Sequence, residues 1–320
     1  MTTSLRTLTR RAFGRTCAAA LLFGKRFLRA EESGPLTWAA QPDPSTGLER
    51  RYRADAQIIV LSIPLLRRQG VGDGEAIWRE SPAEDGARVR LLEFSGRSAP
   101  ERAAGLNRFG FVQELSRTAG QARTEWIYFG LMTSSPEENA AEARKALHPA
   151  SNDALYSAIE GHLAAGSIET AGARFIAPAR TSLADRDELI GRARQALSDA
   201  PKRKADLPSV EEAPQPFLHA LAGLLNRPGS SETRFAYGGR LYRLRVETSP
   251  DAKAARVFRE QRLIPPAAVV TRISGTLRRE EGGAPTEFRL WIEEGAPRPI
   301  PLRIEYQAKS YLRLTFEAQG

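Results

Sequence analysis

Four short runs near the end of the chain alternate apolar and polar residues with a period of two. Over 287–292, Phe288, Leu290 and Ile292 point one way, and Arg289 and Trp291 the other. Over 302–306, Leu302, Ile304 and Tyr306 oppose Arg303 and Glu305. Over 311–317, Leu312, Leu314 and Phe316 oppose Arg313 and Glu317, and a similar run at 269–277 precedes all three. Successive side chains leave opposite sides of a pleated strand, so this pattern predicts strands with one buried and one wet face. The links, 280–284, 294–299 and 307–310, are glycine- and proline-bearing or simply short. Links of this length join only antiparallel neighbours, because a parallel return needs a dozen residues or more. An antiparallel meander is therefore expected over 217–320.

Charge excludes one class of function. The chain has 320 residues and a net charge of +9. Seven of its 47 basic residues (Arg6, Arg10, Arg11, Arg15, Lys25, Arg26, Arg29) fall in the first thirty positions, which hold no acid. The remainder carries 40 basic residues against 38 acidic ones, a balance of +2. A body so nearly neutral has little bulk attraction for phosphates, so nucleic acid is not an expected partner. The one cysteine, Cys17, also lies in this leader, so the body can form neither a disulfide framework nor a thiolate metal site.

The leader itself carries Thr9-Arg10-Arg11-Ala12-Phe13-Gly14-Arg15. It resembles the twin-arginine export motif, Ser/Thr-Arg-Arg-x-Phe-Leu-Lys, at five of seven positions, with Arg10, Arg11 and Phe13 as the motif residues. A weakly apolar run, 17–23, follows. It is too short for a bilayer span and suits the apolar part of a signal peptide. Residues 1–30 are read as a twin-arginine-type signal peptide, cleaved near Ala30. The resemblance implies the twin-arginine export machinery as a partner and the periplasm or cell exterior as the destination.

Residues 31–49, with Pro35, Pro42 and Pro44, read as a flexible lead-in. Over 50–180 the pattern predicts a first β set with a helical insertion. One long strand is expected over 51–66, ended by Pro64. Gly70-Val-Gly-Asp-Gly74 reads as a turn, because it lacks the third glycine of a dinucleotide fingerprint and no helix follows. Further strands are expected at 75–78, 88–94, 108–115 and 125–132, the last two rich in aromatic residues. A short capped helix is expected over 98–106. Ser135-Pro-Glu-Glu138 predicts a helix to about 147. Leu155, Ile159 and Leu163, spaced by four, predict another over 152–166, and 174–177 a strand. Over 181–216, a helix capped by Ser182 carries Leu183, Ile190 and Leu197, followed by a proline-rich charged linker over 200–216. Beyond it come a helix over 217–225, a hairpin around Gly238-Gly239, and strands at 243–246 and 256–259. The fold class is α+β, mainly antiparallel β. It is a curved multi-stranded sheet, half-barrel or clam-like, with helices inserted after the first set of strands. The three body segments are read as one domain and one sheet.

From about residue 216 onward the chain resembles an uncharacterised family of secreted bacterial β proteins known as a domain of unknown function. The features are Leu218-His-Ala-Leu-Ala-Gly-Leu-Leu225 before a glycine hairpin, Gly275, Leu290-Trp291-Ile292, and Arg298-Pro-Ile-Pro-Leu-Arg303. The Leu-Trp-Ile and proline pattern also looks like the half-barrel of periplasmic lipoprotein carriers, though Cys17 has no lipobox. The resemblance implies a sheet curled round a helical layer, a binding role, and no catalytic residues.

The residues themselves add no catalytic signature. His148, His162 and His219 lie too far apart for a helical metal pair, so no metal or cofactor is expected. His219, in an apolar helix, reads as a packed and hydrogen-bonded side chain. No Gly-x-Ser-x-Gly elbow occurs, and the acidic pairs lie in caps, linker or turns. Trp291 breaks a charged strand face. With Trp126 and Tyr128 it is a candidate sheet-face or ligand-lining residue. Three readings remain open. The first is a monomeric exported protein holding an apolar or lipid-like molecule. The second is an envelope interaction or assembly factor with a solid core. The third is an enzyme with no recognisable motif. The volume enclosed by the sheet separates the first two.

Overall fold

A computed structural model describes residues 36–60, 63–83, 86–103, 108–119, 123–133, 153–164, 166–178, 185–207, 214–225, 227–309 and 312–320. Its strands are β1 (Leu48–Val60), β2 (Ile63–Pro82), β3 (Arg88–Ser98), β4 (Phe109–Ala119), β5 (Arg123–Thr133), β6 (Asp153–Ala164), β7 (Ser167–Pro178), β8 (Arg203–Asp206), β9 (Ser230–Tyr237), β10 (Arg240–Pro250), β11 (Val270–Arg279), β12 (Thr286–Glu293), β13 (Arg303–Lys309) and β14 (Leu312–Ala318). Helices α1 (Arg186–Ser198), α2 (Phe217–Leu225) and α3 (Ala252–Glu260) accompany them.

All fourteen strands belong to one antiparallel sheet, in the order β8 to β1 followed by β14 back to β9. Every neighbour but one is also a sequence neighbour, as short links demand. The exception is the seam between β1 and β14, where Tyr52 lies opposite Ala318 and Ile58 opposite Leu312. That seam makes 50–180 and 217–320 halves of one sheet, with the terminal meander as expected.

The sheet curls until its two arms meet. Tyr128 on β5 stacks on Tyr237 of β9 at 4.7 Å between ring centroids. Its hydroxyl accepts a 2.8 Å hydrogen bond from the Gly238 N–H at the tip of the β9–β10 hairpin. The inner face carries Trp126, Ile159 and Ile168 from one arm, and Phe235, Leu244, Ile273 and Leu290 from the other. Between the arms lies α2, packed on both sides by sheet residues. A helix apolar around most of its circumference can be accommodated only inside, and Phe217–Leu225 has that composition.

The outer face is covered locally. Leu189, Ala193 and Leu197 of α1 pack on Phe111, Phe129 and Tyr156. Arg186, at the start of α1, donates to Glu75 and Glu93 at 3.0 Å each. Burial pushes both carboxyls up, and the Arg186 guanidinium opposes that shift. On the other arm, Ala254, Ala255 and Phe258 of α3 cover Val270, Trp291 and Leu302.

Several sequence expectations are corrected. Residues 153–164 form β6, not a helix. A spacing of four is also a multiple of two, so Leu155, Ile159 and Leu163 share a strand face equally well. Tyr156 and Ala158, on the opposite face, are buried under α1. The single strand over 51–66 is two strands, with Ile59 opposite Pro64. Gly70–Gly74 is no turn but lies within the 20-residue β2. There Gly70, at φ 60°, donates its N–H to the buried Asp55 carboxylate at 2.8 Å, next to a register shift at Ala54 and Ala56. A Cβ at Gly72 would run into the Arg97 carbonyl. The glycines thus let a long strand bend sharply across a bulge. Residues 256–259 belong to α3, whose Asp251 caps it by accepting from the Ala254 N–H at 2.9 Å. Residues 99–103 form turns only, and 203–206 of the linker make the edge strand β8. The helix over 135–147, the leader with Arg10, Arg11 and Phe13, and the Ser182 cap lie outside the described residues.

Candidate functional site: an apolar cavity beside the inner helix

Helix α2 does not fill the space inside the sheet. A half-open cavity of about 950 Å³ remains between α2 and the inner faces of β2–β4 and β9–β14. Native interiors hold few voids larger than a water molecule. At about 30 Å³ per water, this space would take roughly thirty. It is therefore a compartment rather than a packing flaw, and it falls in the range of about 300–1,000 Å³ typical of small-molecule sites.

Its walls follow from the strand alternation. Ala76 and Trp78 of β2, and Leu92 and Phe94 of β3, form one side. Phe288 and Leu290 of β12, Ile304 and Tyr306 of β13, and Phe316 of β14 form the other. Leu218, Leu221, Ala222 and Leu225 of α2 complete it. Pro299, Ile300 and Pro301 close one end. Their backbone is held by Tyr52, whose hydroxyl donates to the Pro301 carbonyl at 2.7 Å, and by Arg50, which donates to the Ile300 carbonyl at 3.1 Å. At another border lie Arg279, Glu281, Gly282, Gly283 and Thr286, on and around the β11–β12 loop.

Charge is confined to that border. Glu93 also borders the cavity, but its carboxylate accepts from Arg186 and Gln113 on the outer face. Arg279 ends β11 on the side of Ile273, Gly275 and Leu277, the inner side. Among the described residues it makes no ion pair, whereas Arg234 and Arg243 hold Glu280 at 2.8 and 3.9 Å.

The position of α2, and so the cavity's shape, is set by a carboxylate on its far side. Glu114 of β4 is fully buried. Its oxygens accept from the N–H groups of Leu218 and His219 at 2.8 and 2.9 Å, and its Oε2 lies 3.0 Å from Nδ1 of His219. The first N–H groups of a helix have no partner within it, and an anion there also meets the favourable end of the helix dipole. The reading of His219 as packed and hydrogen-bonded agrees with this arrangement. His219 does not border the cavity, so the pair forms no polar pocket with it.

The three aromatic candidates lie elsewhere. Trp291 is on the outer face beneath α3, where its indole N–H donates to Asp251 at 2.9 Å and Arg303 lies 5.4 Å from the ring. Trp126 and Tyr128 are on the inner face but in the packed junction between the arms. All three are sheet-face residues and none borders the cavity. Glu114 and Arg279, which do shape the site, went unremarked in the sequence. Arg279 carried a signal, a charged residue on the apolar side of an alternating strand, whereas Glu114 shares its face with Gly110, Val112, Ser116 and Thr118 and nothing local sets it apart. Among the described residues no group of three or more His, Cys, Asp or Glu side chains could hold a metal, and no helix is long and apolar enough to cross a membrane.

The fold and cavity define a class: an open, curled antiparallel sheet wrapped round a buried helix. No protein-family model and no curated protein matches the chain. Among solved structures, it is similar to the crystal structure of a beta-barrel-like protein of domain of unknown function DUF1849 from Brucella abortus. The TM-score is 0.45 and the identity 9%, over 84% of this chain and 94% of that one.

Proposed function

We propose that the protein binds an apolar, lipid-like molecule between α2 and the inner face of the sheet. The observation that supports this reading is the cavity of about 950 Å³ with aliphatic and aromatic walls. A factor acting only through its outer surface would have no use for such a space, and burying more apolar surface would stabilise it at about 25 cal/mol per Å². The cavity thus favours the binding reading over that of an assembly factor with a solid core. Binding of a fluorescent apolar probe to the purified protein is the test. Replacing Ala222, on the cavity side of α2, by phenylalanine is expected to weaken that binding at least about tenfold by occupying the space. The same change should leave thermal stability equal or higher. Equal probe affinity in A222F and wild type would contradict the proposal.

We further propose that the protein acts outside the cytoplasm, on the strength of the twin-arginine-like leader. Cell fractionation is expected to recover a form lacking about thirty N-terminal residues from the envelope or medium. Changing Arg10 and Arg11 together to lysine should retain the full-length chain in the cytoplasm. Full-length wild-type protein confined to the cytoplasm would refute the export reading.

A further inference from the structure

We infer that the bound molecule is a single-chain amphiphile with an anionic head, a carboxylate or phosphate monoester, held tail inward with its head at Arg279. This rests on the cavity reading above and adds the polarity and direction of the ligand. Strand β11 runs from the core to the border on one face. Ile273 is fully buried, Leu277 borders the cavity, and Arg279 ends the strand on the same side. The inner wall therefore passes from aliphatic to cationic within one strand. Arg279 has no acidic partner among the described residues, although neighbouring arginines on β9 and β10 do.

A guanidinium presents a fixed fork of donors that matches carboxylate and phosphate oxygens. In register with Arg279 across the β10–β11 ladder stands Tyr242, which also borders the cavity. An apolar tail directed into the walls and an anion directed to the border would satisfy both environments. Glu281, exposed on the adjoining loop, contributes the one opposing charge at this border among the described residues. It disfavours an anionic head, and its replacement is expected to strengthen anion binding.

The experiment compares hexadecanoate, hexadecyl phosphate, hexadecanol and hexadecyltrimethylammonium, each below its micelle-forming concentration. They compete with an apolar probe on the wild-type chain and on R279Q, R279K and E281Q. At least one of the two anions should bind about tenfold tighter than the alcohol, as a charge-assisted hydrogen bond at a partly exposed site would give. The ammonium should bind weakest. R279Q should abolish the anion advantage while leaving hexadecanol affinity unchanged, which also shows that the variant is folded. R279K should keep part of the advantage, and E281Q should raise it. The tighter of the two anions assigns the head as carboxylate or phosphate. Equal binding of acids and alcohol, or an advantage that survives R279Q, would overturn this inference and leave the cavity reading standing. Binding of none of the four would overturn both.

Discussion

Replacing Glu114 by alanine is expected to cost about 3 kcal/mol of stability and to remove ligand binding with it. The substitution takes away one side chain and leaves the N–H groups of Leu218 and His219, and Nδ1 of His219, facing an empty buried site. Each unsatisfied buried donor costs about 1–3 kcal/mol. Partial relaxation of α2, and relief from burying the carboxylate itself, keep the total below the sum. For a chain of this size each kcal/mol moves the thermal midpoint by about 1.5–2 °C, so a drop of roughly 5 °C is expected in calorimetry. E114Q should fall between, because an amide keeps one acceptor oxygen but turns its NH₂ towards other donors. Because α2 forms one wall of the cavity, E114A should lose probe binding even at temperatures where it stays folded. A midpoint within 1 °C or so of wild type would show that α2 is not pinned by this carboxylate.

Gly161 is expected to tolerate no side chain. It lies on β6 directly beneath the ring of Tyr128, and a Cβ built there would overlap the ring and its hydroxyl. Tyr128 is fully buried, stacked on Tyr237 and hydrogen-bonded to Gly238. It has nowhere to move without opening the junction between the two arms of the sheet. Overpacking of this kind costs about 1–3 kcal/mol in an adaptable core and more where the obstructing ring is fixed. G161V should therefore lie at about 3 kcal/mol or beyond, and G161A only slightly below it. The test of the cause is a double-mutant cycle with Y128L. Trimming the ring should recover much of the loss, so that the two changes are strongly non-additive. Additive losses would mean that the glycine serves some other need, such as strand geometry.

The roles of Glu114 and Gly161 depend on partners far away in the chain and are not legible in the sequence. The terminal meander was legible because both its signals are local: alternation along each strand and links too short for anything but a hairpin. The hairpin at Gly238-Gly239 was legible for the same reason. Strand β6 was misread because Leu155, Ile159 and Leu163 satisfy a helix and a pleat alike, and its second face becomes apolar only to meet α1. The glycines of β2 looked like a turn because glycine marks both turns and bulged, closely approached strands. Helix α3 hid behind its short length, although Asp251 and the apolar positions 254, 255 and 258 form its cap and inner face. Trp291, a candidate sheet-face or ligand-lining residue by sequence, lies beneath α3. Its partners are Asp251, the cap of α3, and Phe258, from the stretch 256–259 that the sequence pattern assigns to a strand.

The sequence alone settles the strand period and the antiparallel connections, since both depend on neighbours a few positions apart, and the near-neutral charge of the body, which depends on composition only. Folding in three dimensions decides that the first strand pairs with the last, that Glu114 meets the start of a helix 104 residues later, and that α2 stands away from part of the sheet. A cavity is a distance between surfaces brought together from remote parts of the chain. No local pattern encodes that distance, because side-chain alternation specifies which way a residue faces and not how far away its opposite wall will lie.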